Sequence, residues 1–238
     1  MDLSIPQHFW LGLWQIVIVD VLLSGDNAVV IALACRNLPD RIRNRAVIFG
    51  TLGAVAVRVA FVFTISTLML IPALKLIGGL LLLWIGIKLM LPEEGDGEDG
   101  IKGSANVWGA IRTIVIADVV MSLDNVIGIV AAAKGSLLLV ITGLLLSIPL
   151  IVFGSRLVLK VLQRFPVLVM AGAGLLGWLG GEIMAGDPLV KKVWPTLDHT
   201  DARIIAVIGA AIVITVGTWL KRRALEQRQL ATVHAEEK

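Results

Sequence analysis

Two short stretches place acids where so apolar a chain should hold none. "VDVLLSGDN" (19–27) contains Asp20, Ser24, Asp26 and Asn27, and "ADVVMSLDN" (117–125) contains Asp118, Ser122, Asp124 and Asn125. An ionisable side chain at bilayer depth costs about 3 kcal/mol or more, so it is rare and by default functional. On an unbroken helix Asp20, Ser24 and Asn27 share one face at i, i+4 and i+7, while Asp26 lies roughly 120° away. Gly25 allows the backbone to unwind there, turning Asp26 and freed carbonyls toward the same side. The second copy carries Leu123 at that place, so a broken helix is less expected in it.

Aspartate, asparagine and serine are hard oxygen donors. The set Asp20, Asp26, Asn27, Asp118, Asp124 and Asn125, with Ser24 and Ser122 as auxiliaries, suits Mn²⁺, Mg²⁺ or Ca²⁺. Zinc and copper lose their usual ligands. His8, His199 and His234 lie outside the apolar runs, and Cys35 is the single cysteine. Arg58 sits within "GTLGAVAVRVAFVF" (50–63), and four aspartates against it sum to −3 when all are ionised. Such a cavity attracts a divalent cation and repels an oxyanion. Arg58 serves either as a permanent counter-ion or as an occupant of the cavity when the cation has left. The serines and asparagines have the alternative role of hydrogen bonding between helices. Glu182, which ends "LLGWLGGE" (175–182), either snorkels to the interface or acts as an auxiliary ligand. No catalytic residue and no prosthetic cofactor is expected.

These residues must be positioned by membrane-spanning helices. Of 238 residues 57% are hydrophobic and only 16% charged, against about 25% charged in a soluble domain. The small net charge of +3 is spread over short basic clusters, a pattern of membrane loops rather than of a nucleic-acid-binding face. The N-terminus lacks the basic start of a signal peptide, so the first apolar run reads as a retained span. Apolar runs near the roughly 20-residue spanning length fall at 10–35, 46–71, 73–91, 107–133, 137–159, 167–185 and 203–220, seven helices in all. Pro72 and Pro166 suit first-turn positions. The polar, glycine-rich linker 92–106 separates the third run from the fourth, and a basic tail follows at 221–238.

The acid-bearing stretches belong to a longer duplication. "IVIVDVLLSGDN" (16–27) matches "IVIADVVMSLDN" (114–125) at eight of twelve positions with an offset of 98, and Trp10 matches Trp108 at the same offset. "GGLLLLWIGIK" (78–88) aligns with "GAGLLGWLGGE" (172–182) at an offset of 94, pairing Trp84 with Trp178, Gly86 with Gly180 and Lys88 with Glu182. The repeats are therefore 10–91 and 107–185, with the helix at 203–220 left over. Three spans per repeat put the second copy into the membrane upside down, an architecture whose ion sites lie where the repeats meet. The expected fold is all-α, a polytopic membrane protein of seven helices containing two inverted three-helix repeats. Arg36, Arg41, Arg43 and Arg45 follow the first span, Arg156, Lys160 and Arg164 the fifth, and Lys221, Arg222 and Arg223 the last. By the positive-inside rule the linker and C-terminus are cytoplasmic and the N-terminus is outside.

With "SGDNA", "SLDNV", "GAVAVR" and "LLGWLGGEIM" in place, the chain resembles the TerC family of integral membrane proteins over about 10–220. The resemblance implies a cation-transporter fold in the bacterial inner membrane and Mn²⁺ efflux. It also marks Asp20, Asp26, Asn27, Asp118, Asp124 and Asn125 as the site residues. The expected function is a secondary transporter exporting Mn²⁺ or a similar hard divalent cation by alternating access, with proton coupling resting on the carboxylates alone. Its partners are the lipid bilayer, the metal ion and a second copy or other membrane proteins, and no nucleic acid. One alternative is a membrane assembly or metal-delivery factor. Another is an intramembrane aspartyl protease, whose glycine-x-glycine-aspartate signature is missing. A reporter fused after Lys238 should read cytoplasmic and one placed before Leu3 external. Finding both on one side removes the odd span count and the inversion with it.

Overall fold

The computed structural model describes residues 7–23, 25–68, 71–91, 102–132, 136–165 and 167–236; side chains are described for most of these, though not for Asp124. Ser24, Pro166 and most of the linker lie outside them. All regular structure among the described residues is helical: α1 Gln7–Leu23, α2 Gly25–Cys35, α3 Asp40–Leu68, α4 Leu74–Met90, α5 Lys102–Ala132, α6 Leu137–Arg164, α7 Val167–Ala185, α8 Pro188–Val193 and α9 His199–Glu236. Each apolar run read from the sequence overlaps one of these helices, and the first overlaps the α1–α2 pair, with ends that differ by up to 16 residues, as where α9 runs on to Glu236. By length and composition four described helices, α3, α6, α7 and α9, suffice to cross a membrane, and the bent α1–α2 pair makes a fifth. Large apolar side chains such as Trp14, at 63% exposed, and Phe153, at 72%, stand on the outer surface. Patches of that kind are an anomaly in water and the rule in lipid.

Local sequence explains the breaks. The axis turns by 46° between Gly12–Asp20 and Gly25–Cys35. Gly25 opens α2, with Asp26 in its first turn, where the exposed N–H groups of a helix start favour a carboxylate. In the second copy, with Leu123 at the matching place, α5 runs unbroken past Asp118 and Asn125. Pro72 does not lie in the first turn of its helix. The turn before α4 ends on Ala73 in the left-handed region (φ 63°), and the Ala73 carbonyl accepts the Ile77 N–H.

The helices form two compact units. The first holds α1, α2, α3, α5 and α6. In it α3 packs along α5, and α6 packs along α1 and α2. A Cβ on Gly50 of α3 would lie 2.6 Å from Ile114 of α5, and one on Gly143 of α6 would run into Ile16 of α1. Ile16 and Ile114 match at the offset of 98, so each of the two matched isoleucines meets a glycine of α3 or α6, although Gly50 and Gly143 themselves align at neither offset.

The second unit holds α4, α7, α8 and α9. Here α4 crosses α7 so closely that a Cβ on Gly180 would lie 2.7 Å from the Gly79 carbonyl oxygen, and one on Gly86 3.1 Å from that of Ala173. At the offset of 94, Gly79 matches Ala173 and Gly86 matches Gly180, so this crossing maps onto itself when the copies are exchanged. The Asp187 carboxylate, fully buried, caps α8 by accepting the Leu189 N–H and holds the start of α4 by accepting the Leu76 N–H.

Small residues let α7 meet α9 backbone to backbone, since lipid supplies no hydrophobic force to join helices. A Cβ on Gly177 would come 2.5 Å from the Gly209 carbonyl oxygen, and one on Gly181 2.6 Å from that of Ile205. Neither backbone can yield as a side chain would. Gly181→Val should therefore destabilise the protein by about 1–3 kcal/mol or more, the range of overpacking. Gly109→Ala and Gly154→Ala, with nothing within 4 Å, should be neutral. Thermal unfolding of the three variants in detergent tests this, and a wild-type midpoint for Gly181→Val refutes the close crossing.

Candidate functional site

Five helices of the first unit deliver one buried polar cluster. The α1 helix brings Asp20, α2 Asn27, α3 Arg58 and Thr51, α5 Asp118 and Ser122, and α6 Ser147. All seven are buried, among them Arg58 at 1% and Asp20 at 0% exposure. The first helix ends near Asp20 and the second begins before Asn27, so the bend sets these two residues on different axes. Arg58 lies on the wall of α3 that packs along α5, which explains how one long side chain reaches both acids.

The guanidinium lies between the two aspartates. Its Nη1 donates to Asp20 Oδ1, its Nη2 to Asp118 Oδ1 at 2.5 Å, and its Nε to Ser122 Oγ at 3.0 Å. Ser122 passes its own proton to Asp118 Oδ2 at 2.9 Å, four residues back on the same helix. Asn27 Nδ2 donates to Asp118 Oδ1 at 3.0 Å, and Ser147 Oγ donates to Asp20 Oδ2. Every carboxylate oxygen of the pair thus has a donor, as buried charge requires. A chain of donors in a low-dielectric setting also reinforces itself. Two carboxylates against one guanidinium leave one negative charge in excess when all are ionised.

A cavity opens beside this cluster, with room for about one water-sized body. Its polar lining is Asn27, Thr51, Arg58 and Asp118, set among aliphatic side chains such as Val55, Ile114 and Ile151. Two of its atoms, Asn27 Oδ1 and Thr51 Oγ1, are buried without a hydrogen-bond partner. The Asn27 amide could not be turned over to relieve this, because its oxygen would then face the Asp118 carboxylate. The cavity therefore presents two free neutral oxygens next to a carboxylate.

Of the residues singled out from the sequence, Asp20, Asn27, Asp118, Ser122 and Arg58 come together. Asp26 is half-buried and accepts the Asn27 N–H at 2.9 Å, which spends one of its oxygens on the start of α2. Asn125 lies half-buried on α5. The side chains of Ser24 and Asp124 are outside the described residues, and Glu182 is exposed on α7, in the second unit. No group of three His, Cys, Asp or Glu side chains gathers to hold a metal among the described residues. The described cluster thus holds two acids, Asp20 and Asp118, on Arg58. Sequence reading missed Ser147 and Thr51. Each is a lone hydroxyl in a long apolar run, a signal too common in membrane helices to single them out.

Residues 5–225 match the model of the integral membrane protein TerC family. The chain is 46% identical over 214 residues to the uncharacterized membrane protein YjbE of Bacillus subtilis (strain 168), spanning 90% of this chain and 97% of that one. It is 26% identical over 238 residues to the uncharacterized membrane protein YkoY of the same organism, spanning 92% and 69%. Protein YegH of Escherichia coli (strain K12) is 27% identical over 204 residues, which span 78% of this chain and 38% of YegH. No solved structure matches. A family model that covers nearly the whole chain, joined to a near full-length relative, shows that the protein belongs to the TerC family of integral membrane proteins.

Proposed function

We propose that this protein is a secondary transporter that exports Mn²⁺, or a similarly hard divalent cation, from the cytoplasm by alternating access. One observation carries the reading. Asp20 and Asp118, the matching acids of the two repeats, are buried on a single Arg58, beside a cavity with unpartnered oxygens. A structural ion pair needs one acid for one base, and it leaves no acceptor idle. Surplus negative charge together with idle oxygen ligands is what a site for a small hard cation requires.

In this reading the seven spans comprise two inverted three-helix repeats and α9, with the N-terminus outside. The packing supports it: contacts that survive exchange of the copies are what a two-fold axis produces, residue i on j and j on i. Arg58 is the cation of the ion-free state. An arriving Mn²⁺ competes with it for Asp118 and Asp20, and its departure lets the guanidinium return, so the acids are never left bare. Asp26 adds negative charge at the start of α2, near the ion's route, and proton counter-movement would use the carboxylates of the site. Asn27 contributes its amide oxygen, held toward the cavity by the bond from its Nδ2 to Asp118.

The sharing of one base between two acids makes the variants informative. Asp118→Asn leaves a neutral Arg58–Asp20 pair, so membrane abundance should stay near wild type while Mn²⁺ export falls roughly ten- to a hundredfold, as loss of groups around a metal does. Asp26→Asn and Asp124→Asn should also be well made and impaired in export. Arg58→Gln instead faces two buried carboxylates with no counter-charge, which costs about 3–5 kcal/mol. Its folded yield should drop, and added Mn²⁺ should raise its thermal midpoint more than that of the wild type. Cellular manganese content, membrane abundance and melting curves measured on the same variants check these outcomes. Well-expressed Asp118→Asn with full export sinks the reading.

A further inference from the structure

Thr51 behaves unlike five other threonines inside the helices. A helical threonine ordinarily turns its hydroxyl back to the carbonyl four residues earlier. Thr64, Thr113, Thr142, Thr215 and Thr218 all do so, at 2.6–3.1 Å. Thr51, in the middle of α3 and only 1% exposed, does not: its Oγ1 has no partner and lines the cavity beside Asn27 and Asp118. An unpaired buried hydroxyl is destabilising, and a local acceptor was available at no cost in sequence.

The missing partner has definable chemistry. Asn27 Oδ1, Thr51 Oγ1 and the Asp118 carboxylate are oxygen donors around a space for about one water-sized body. A cation entering that space must leave most of its hydration shell behind and take protein oxygens instead. Mg²⁺ gives up water reluctantly and binds through a few carboxylates with its waters retained, whereas larger divalent ions accept more varied protein ligands. Building on the transport reading above, we infer that Thr51 is a ligand of the transported cation, completing with Asn27 and Asp118 a dehydrating subsite that passes Mn²⁺ and rejects Mg²⁺. The threonine hydroxyl supplies a neutral oxygen, so it adds coordination without deepening the charge that Arg58 must balance.

The test uses the full chain reconstituted in liposomes, with Mn²⁺ uptake followed by an entrapped indicator and Mn²⁺ binding followed on the detergent-purified protein. Thr51→Val keeps the shape and deletes the oxygen, and Thr51→Ser keeps the oxygen. Thr51→Val should raise the half-saturating Mn²⁺ concentration and weaken Mn²⁺ binding roughly tenfold, as expected for loss of one group at a metal. Its melting temperature should be unchanged or higher, because an unpaired polar group has been removed. Thr51→Ser should restore wild-type uptake, and a large excess of Mg²⁺ should leave wild-type uptake intact. If Thr51→Val binds and moves Mn²⁺ as wild type does, the subsite holds only a water and the inference falls while the transport reading stands. Suppression of wild-type uptake by equimolar Mg²⁺ overturns the selectivity. No uptake of any divalent ion by the wild type overturns the transport reading itself.

Discussion

The guanidinium of Arg58 is the constraint on which the first unit depends. A buried charge is tolerable only when it is paired and fully hydrogen-bonded, and Arg58 meets that condition through α1 and α5 at once. Each of its three donor nitrogens is committed to a different acceptor: Asp20, Asp118 or Ser122. The acids in turn are fixed by Asn27 from α2 and Ser147 from α6. Five helix segments thus meet on one side chain. Where apolar packing alone gives helices in lipid little reason to choose one arrangement, such a network is a specific source of registry.

Among the described residues the same network carries one negative charge in excess when both acids are ionised. A purely structural solution would neutralise the site, yet two acids share one base, and two polar atoms remain without partners in a cavity next to them. Unsatisfied buried groups are uncommon in native proteins and call for an explanation. Their placement together, rather than scattered through the interior, makes exchange of a cation at this point an economical one. The apolar walls of Val55, Ile114 and Ile151 keep the local dielectric low, which strengthens every electrostatic preference in the cavity.

The two repeats are alike in packing and unlike in chemistry. The matched isoleucines Ile114 and Ile16 each lie against a glycine, Gly50 and Gly143, and the crossing of Gly79 and Gly180 has its counterpart in Ala173 and Gly86. At the acids the likeness ends: the first copy breaks and bends before Gly25, while the second continues as one helix through Leu123. The lone arginine also belongs to one copy only. On the proposed transport function, an alternating device needs near-equivalent scaffolds so that its two states are close in energy, while the two sides of the site need not be the same.

The membrane class and the apolar helical runs were legible in the sequence, because these rest on local composition and on short-range periodicity, and the matched segments are visible there too. A run of apolar residues must be helical in lipid whatever surrounds it. A matched Asp-x-x-x-Ser-x-Asp-Asn pair is visible in one dimension, and so was the need of Arg58 for an acid partner. Which acids partner Arg58 was not legible there, since that depends on which helices the fold brings against α3. The tertiary structure also decided that Asn27 turns its amine to Asp118 and its oxygen to a cavity, that Asp26 is drawn into the start of α2, and that Ser147 supports Asp20 from 127 residues away. Thr51 shows the limit most clearly. Its residue type is ordinary for a membrane helix, and what sets it apart is a hydrogen bond it does not make, a property of three-dimensional surroundings that no one-dimensional pattern records.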